Sequence, residues 1–247
     1  GLEDYLHIVE NGDPTLRVWF GQRHPGGSPS GYDTGVDNIL AVAENTAKRV
    51  AETGKQRDLG PLLEAGFVKL INDGVLSAHT AVLMESYRDR EGWMGEYITE
   101  PGDLKTLVDK VTAAGLPVAI HSIGDAAVRA SLDAFEAAED NAVPYPNRIE
   151  HIELVHPDDV ARFRTLGVAA SMQPNHATNA IGYVPDRVGG HREDRAYVWR
   201  SMLDAGVPLV FSADYPTSPL NPLVQFGDEM FRISPFGFNG GEPWHPE

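Results

Sequence analysis

Apolar runs of strand length recur along the chain, and each follows a segment with helical periodicity. Four units share this order, passing from a helix-like pattern through a glycine into an apolar strand: LLEAGFVKLI, VTAAGLPVAI, FRTLGVAASM and MLDAGVPLVF. Their glycines are Gly66, Gly115, Gly167 and Gly206, and glycine at this point commonly ends a helix in the left-handed conformation. Because the strands are apolar without alternation, we predict that both of their faces are covered.

The helices between these strands also have recognisable starts. One is predicted to begin after Asp103 as N-cap, and its apolar positions recur at i, i+3, i+4 and i+7 as Leu104, Leu107, Val108 and Val111. Another is predicted to begin at Pro157, which is followed by two aspartates in the first turn.

Two further strands are predicted, in TLRVWFG at 15–21 and NRIEHIEL at 147–154, which makes six. Strands that alternate with helices indicate a parallel sheet, either a (β/α)₈ barrel or an open doubly wound sheet. Six strands do not close an ordinary eight-stranded barrel. Segments 22–35 and 176–192, and the tail from 234, are rich in Gly, Pro and polar residues and are predicted to be loops.

Charge and cysteine content restrict the function. The 247 residues include 20 basic and 36 acidic side chains, a net charge of −16, which argues against general affinity for nucleic acid or anionic membranes. The absence of cysteine excludes disulfides, thiolate metal sites and a cysteine nucleophile within this sequence. A small-molecule substrate is therefore expected.

The sequence also contains neither a signal-peptide pattern at its start nor a continuous apolar stretch of transmembrane length. A cytoplasmic location is therefore expected. Since the first residue is not Met, we expect the natural start to lie upstream.

Residues of the kind that bind metals follow the predicted strands. They are Lys69, His121, His151, His176 and Asp214. In parallel α/β folds the carboxyl ends of the strands meet at one edge, where active sites are built. Any single one of these residues is more often structural, but burying several of them together costs desolvation energy unless they share a ligand. Two imidazoles and a carboxylate suit Zn²⁺ or a similar divalent ion.

Four segments together resemble a known family. They are VKLINDG, AIHSIGDAAVRASLDAFE, RIEHIELVHPDDVARFRTLGVAASMQPNHAT and FSADYPTSPLNPL, and they span residues 60 to 225. In order and spacing they are similar to the amidohydrolase superfamily, within it the YtcJ-like branch (amidohydrolase family 3) that includes N-substituted formamide deformylases. This resemblance implies a TIM-barrel-like metal-dependent hydrolase that cleaves an amide-type C–N bond with metal-activated water, using one or two divalent ions, zinc foremost.

The resemblance also implies roles for individual residues. Lys69 matches a metal-bridging lysine that is carboxylated in such enzymes, and His121 and His151 match metal-binding histidines. Asp214 matches an aspartate that binds metal and accepts the proton of the attacking water. His176 falls in a loop that lines the substrate pocket, so a substrate contact is expected. Asp73 and Gly74 are expected to form a structural turn.

The sequence departs from that family at one important place. Members have a His-x-His pair at the end of their first strand, and no such pair occurs here. Residues 1–247 are therefore predicted to form a partial barrel of about six strands, without strands one and two or the β-sandwich. The missing remainder of the chain, or another copy, is an expected partner.

Two alternatives remain open. One is a barrel fragment that binds a ligand or a partner chain without catalysis. The other is an aldolase in which Lys69 forms an imine with a carbonyl substrate. The second has no need of the histidines and the aspartate around its lysine.

Overall fold

The computed structural model describes residues 1–24, 31–55 and 60–244. Six parallel strands form one sheet in this part of the chain: β1 (Val18–Arg23), β2 (Leu63–Ile71), β3 (Val118–Ser122), β4 (Arg148–His151), β5 (Ala169–Met172) and β6 (Leu209–Phe211). Each strand pairs with the next one in sequence, so the order never reverses. A doubly wound sheet contains a reversal, whereas consecutive order is that of a barrel wall. The sheet therefore has the barrel-type order, and it is open between β1 and β6.

Helices connect the strands. Nine α-helices are described: α1 (Leu2–Asn11), α2 (Tyr32–Glu52), α3 (Pro101–Ala113), α4 (Asp125–Ala137), α5 (Pro157–Thr165), α6 (Pro174–Ala180), α7 (Val184–Val188), α8 (Trp199–Asp204) and α9 (Pro222–Phe231). Short 3-10 helices lie at Glu193–Arg195 and Phe238–Gly241. The apolar residues of α3 share one buried core with Val68 and Leu70 of β2. Within the described ranges, none of the helices combines the length and the apolar character needed to cross a membrane.

Glycine ends three helices as the sequence predicts. Gly115, Gly167 and Gly206 follow α3, α5 and α8 with φ of 79°, 64° and 72°. The same prediction is wrong for Gly66, which lies inside β2. A short apolar run with small residues, such as LLEAGF, has no periodicity that distinguishes a helix end from a buried strand. Gly66 instead leaves room for the side chain of Trp19, because a Cβ at Gly66 would lie 1.9 Å from Nε1 of Trp19 on the neighbouring strand.

Gly66→Ala should therefore destabilise the protein by about 1–3 kcal/mol, the usual cost of forcing extra volume into a packed site. Urea unfolding followed by circular dichroism measures the change. Gly102→Ala is the matched control, since its added Cβ on α3 comes within 4 Å of no described residue outside its own helix and chain neighbours. Alanine in a helix should be neutral or stabilising by up to about 1 kcal/mol. Equal stability of the two variants would contradict the close approach of Trp19.

Other boundaries differ modestly from the predictions. The first helical turn of α3 begins at Pro101 with Glu100 as N-cap, so Asp103 lies inside that turn. The predicted start of α5 at Pro157 is confirmed. The predicted loop at 176–192 is wrong in part, because α6 and α7 occupy most of it. Both helices have a proline in their first turn and are too short to show helical periodicity in the sequence. In the predicted loop at 22–35, β1 extends to Arg23 and α2 begins at Tyr32, and residues 25–30 lie outside the described residues.

Candidate active site

A cavity of about 460 Å³ lies at the carboxyl ends of the strands. Its lining includes all five residues that the sequence singles out: Lys69, His121, His151, His176 and Asp214. They come from β2, β3, β4, α6 and the segment after β6, respectively. The sheet thus brings together groups that are far apart in the sequence. The walls are completed by residues from the loop after β2, among them Val75 and Ser77.

Strand alternation places Lys69 and His121 on one face. Val68 and Leu70 are buried in the core, so Lys69 between them projects to the other face of β2. Lys69 is in register with Ala119 of β3. His121 lies two residues beyond Ala119 and therefore shares that face with Lys69.

His151 reaches the cavity through an unusual backbone conformation. Its neighbour Glu150 is in register with His121, so simple alternation would turn His151 to the opposite face. His151 has φ of 80° and Ile152 has φ of 50°, both in the left-handed region that side-chain-bearing residues seldom adopt. This turn brings the His151 ring to 4.5 Å from that of His121, measured between centroids. Backbone strain of this kind is concentrated at functional sites.

Gln173 fixes the orientation of the His151 ring. The Nδ1 of His151 lies 2.9 Å from Oε1 of Gln173, and Nε2 of Gln173 donates to Oγ of Ser212 over 2.9 Å. Nε2 of Gln173 also lies 3.4 Å from the carbonyl oxygen of Ser171, which can only accept, so the amide oxygen is the end that faces the imidazole. This orientation places the proton of the neutral imidazole on Nδ1. Nε2 of His151 is then left with its lone pair. This is the usual arrangement of a metal-binding histidine, whose other nitrogen donates to a fixed partner.

His176 and Asp214 complete a compact cluster with His151. One ligand atom from each residue lies within 4.8 Å of the other two. The rings of His151 and His176 are stacked, with 5.9 Å between centroids and 9° between planes. Nε2 of His176 lies 3.8 Å from Oδ2 of Asp214 and has no hydrogen-bond partner among the described residues. Asp214 has φ of 53°, a conformation that Asp and Asn adopt more readily than other residues.

His121 lies beside this cluster, and its ring is held by a hydrogen bond to the backbone. Its Nε2 is 2.9 Å from the carbonyl oxygen of Gly74, which requires the proton on Nε2 and leaves the lone pair on Nδ1. The adjacent Asp73 accepts hydrogen bonds from the backbone nitrogens of Val82, Ile123 and Gly124, each over 2.9 Å. The Asp73–Gly74 segment thus joins the loop after β2 to the end of β3. This role is structural, as the sequence predicts.

Burial controls the charge of the cavity. It lowers the pKa of His121 and of His176, and it lowers the pKa of His151 well below 6.5 with a further contribution from neighbouring His121. Burial also lowers the pKa of Lys69. Desolvation disfavours the charged form of each group, so these side chains are neutral over a wider pH range than in water. Neutral imidazole is the form that binds metal.

The three histidines should therefore be less than half protonated in the metal-free protein at pH 6.5, where an unperturbed imidazole is half protonated. The lowered pKa values mean that protons compete for the nitrogens only at lower pH. Imidazole ¹⁵N shifts followed by NMR across pH 4–8 measure this directly. The same titration in concentrated urea is the control and should return the pKa values to about 6.5. A pKa for His151 at or above 6.5 in the folded protein would contradict its burial.

The cluster fits a divalent metal ion. Two imidazoles and a carboxylate are a common zinc ligand set, with a position left open for water or substrate. Nε2 of His176 has no hydrogen-bond partner in the described part of the chain, which supports this fit because a buried polar nitrogen is seldom left without a partner. His121 and Lys69 line the same cavity without belonging to the three-residue cluster.

Two residues of the site escape the sequence analysis. Gln173 orients His151, and Glu153 lines the cavity with 5% of its surface exposed. Both lie within the motifs quoted above, in QPNH and RIEHIEL. Glu153 carries a detectable signal, since a carboxylate in the apolar stretch HIELV is unusual. Burial raises its pKa to about 7. The orienting role of Gln173 depends on spatial contacts and has no comparable sequence signal.

Comparison with known proteins identifies relatives. The model of the amidohydrolase family matches residues 2–237. YtcJ of Bacillus subtilis (strain 168) is 29% identical over 181 residues, which cover 73% of this chain and 34% of YtcJ. The N-substituted formamide deformylase of Arthrobacter pascens is 26% identical over 166 residues, which cover 65% of this chain and 30% of the deformylase. The chain thus spans about a third of the length of these relatives.

Two solved structures of metal-dependent hydrolases are similar to this chain in fold and sequence. The crystal structure of a metal-dependent hydrolase from Pyrococcus horikoshii OT3 superposes with a TM-score of 0.76 and 27% sequence identity. The match covers 98% of this chain and 43% of that protein. A metal-dependent hydrolase from Pyrococcus furiosus matches with a TM-score of 0.74 and 28% identity over 96% of this chain.

Proposed function

The chain belongs to the amidohydrolase family, and from that membership and the cavity we propose that it hydrolyses an amide-type C–N bond in a small molecule with the help of a divalent metal ion, zinc foremost. The observation that carries the proposal is the meeting of His151, His176 and Asp214, whose ligand atoms lie within 4.8 Å of one another. The names of the deformylase and of the Pyrococcus hydrolases support the bond type and the metal dependence.

We assign the metal to Nε2 of His151, Nε2 of His176 and a carboxylate oxygen of Asp214. An ion of this kind supplies a Lewis acid and lowers the pKa of a water molecule at the site to about 7. His121 and Lys69 stand beside this position and could hold a second ion. Lys69 would do so as a carbamate formed with CO₂, which needs the neutral amine that burial favours.

Asp214 is the proposed proton carrier. Its side chain is 43% exposed and lies 3.8 Å from the His176 ring, so one carboxylate oxygen can face the cluster and the other the cavity. Asp214 accepts a proton from the attacking water as the C–O bond forms. It returns that proton to the nitrogen as the C–N bond breaks, so that an amine and a carboxylic acid are released.

The remaining residues position the substrate. The cavity of about 460 Å³ suits a small molecule. Its mixture of apolar walls, from Val75 and Ile123, with neutral imidazoles favours an uncharged amide over an anion or a polymer. The small-molecule partner expected from the sequence is therefore retained as part of the proposal.

Elemental analysis and a substrate panel test the proposal. The purified chain is stripped of metal, reloaded with zinc and supplied with N-substituted formamides and acetamides. We expect about one or two zinc ions per chain and amine release that stops when zinc is removed. Zinc binding without turnover would favour the alternative of a barrel that binds ligand only. Failure to bind any divalent ion at micromolar concentration would overturn the proposal.

A further inference from the structure

Asn179 is a polar residue of the cavity that the proposed hydrolysis does not use. It lies three residues after His176 on α6, so the two side chains share one face of that helix. The other residues of α6 are buried, and both His176 and Asn179 line the cavity. Asn179 therefore lies about one helical turn from a proposed metal ligand, on the side that faces the substrate.

The neighbouring Asn175 has an amide whose orientation is fixed by a carboxylate. Asn175 is 6% exposed, and its Nδ2 donates to Oδ2 of Asp228 on α9 over 2.8 Å. An ionised carboxylate only accepts, so nitrogen is the end of the Asn175 amide that faces Asp228. Oγ1 of Thr178 donates to the other oxygen of Asp228 over 3.2 Å and holds the carboxylate in place. The oxygen of the Asn175 amide is therefore directed away from Asp228.

Asn179 takes its orientation from Asn175. Nδ2 of Asn179 donates to Oδ1 of Asn175 over 3.1 Å, since that amide oxygen can only accept. The oxygen of the Asn179 amide is thus the end left for the cavity. Within the described residues this oxygen accepts no hydrogen bond and is not one of the buried atoms without a partner, so it is accessible. Asn179 therefore presents a hydrogen-bond acceptor of fixed orientation.

An acceptor at this place favours a substrate that carries a donor beside its carbonyl. In an amide whose carbonyl oxygen faces the proposed ion, the nitrogen is only two bonds from that oxygen. Residues three apart on a helix have Cβ atoms about 5–6 Å apart, so a small amide at the His176 end of the cavity lies within reach of the Asn179 side chain.

We propose that Asn179 determines specificity by accepting, through Oδ1, a hydrogen bond from the N–H of the amide that is cleaved. The proposal rests on the proposed function and names its substrate class as amides that retain an N–H on the scissile nitrogen. An N,N-disubstituted amide places a carbon against this oxygen and leaves it unpaired. Discrimination arises from this difference.

Two hydroxamates that differ only at nitrogen test the assignment on the zinc-loaded protein. Benzohydroxamic acid and N-methylbenzohydroxamic acid both bind zinc through two oxygens, and the second has a methyl group in place of the N–H. Isothermal titration calorimetry should show that the wild-type protein binds benzohydroxamic acid about 5- to 30-fold more tightly, the range expected for one hydrogen bond to an otherwise unpaired acceptor.

Variants test both the residue and its orientation. Asn179→Leu, which nearly preserves the volume, should bind the two hydroxamates equally, and Asn179→Ala gives the same test if the leucine variant does not fold. Asp228→Asn should reduce the preference, because an amide at this position can donate to Asn175 and so reverse both amides. Asn38→Leu, at an exposed position of α2, is the matched control and should keep the wild-type ratio.

The ratio of two affinities within one variant is unaffected by a loss of zinc or of stability, so structural damage does not imitate the effect. Equal binding of both hydroxamates by the wild-type protein overturns the role of Asn179 and leaves the proposed hydrolase intact. A preference that survives unchanged when Asn179 is replaced does the same. Failure of both hydroxamates to bind the zinc-loaded protein overturns the proposed function and this assignment with it.

Discussion

Replacing His176 with alanine should weaken zinc binding by at least about 100-fold and reduce turnover in proportion to the zinc lost. Removing an outer partner of a metal ligand costs about 10- to 100-fold in affinity, and loss of a ligand itself should reach or exceed that range. Zinc affinity is measured by competition with a chelator of known affinity, and zinc content by elemental analysis after dialysis.

This experiment distinguishes two roles for His176. The resemblance to known enzymes implies a substrate contact, whereas the structure places the Nε2 of His176 in the cluster with His151 and Asp214. A substrate contact would raise KM in the alanine variant and leave zinc affinity unchanged. Wild-type zinc affinity would therefore contradict the ligand role. His7→Ala is the matched control, because His7 is an exposed histidine on α1.

Much of the fold is encoded in local pattern. Glycine after a helix and apolar runs of strand length predict the units that end in β3, β5 and β6, because both signals arise from the backbone of neighbouring residues. Gly66 shows where this fails. Its absent side chain makes room for Trp19 on a strand that is distant in the sequence, and no local pattern reports such a contact.

Local sequence pattern also does not distinguish a barrel from a doubly wound sheet. Alternating strands and helices fit both a barrel and a doubly wound sheet, since each strand carries the same apolar signal in either fold. The order of strands decides between them, and that order is a property of the whole chain. The structure shows consecutive order from β1 to β6.

The sequence predicts which residues form the candidate site, but it does not predict how their side chains are oriented. Residue type and position at or just beyond the end of a strand suffice to single out Lys69, His121 and Asp214, because parallel strands bring their carboxyl ends together. The sequence does not show that left-handed backbone at His151 and Ile152 turns the histidine into the cavity. It also does not show that Gln173 selects the lone-pair nitrogen of His151.

Asp214→Asn should lower kcat/KM by about 10²- to 10⁴-fold, the usual contribution of a positioned acid or base. The amide keeps an oxygen that can contact the ion but cannot accept a proton near neutral pH. Because Asn tolerates φ near 53° as well as Asp does, and the side chain is 43% exposed, the free energy of unfolding should change by no more than about 0.5 kcal/mol. Turnover is measured at saturating zinc, so that weaker metal binding does not imitate the loss of the proton carrier.

Two comparisons complete the experiment. Asp204→Asn, which breaks the exposed pair with Arg200 at the end of α8, should leave turnover unchanged and controls for the loss of one negative charge. The pH profile gives a second readout, because loss of the base should remove the acidic limb of kcat/KM while a purely structural defect should scale the whole curve. Turnover within tenfold of wild type at saturating zinc would contradict the assignment. The proton would then have to pass to another group in the cavity, since the C–N bond breaks only when the departing nitrogen receives one.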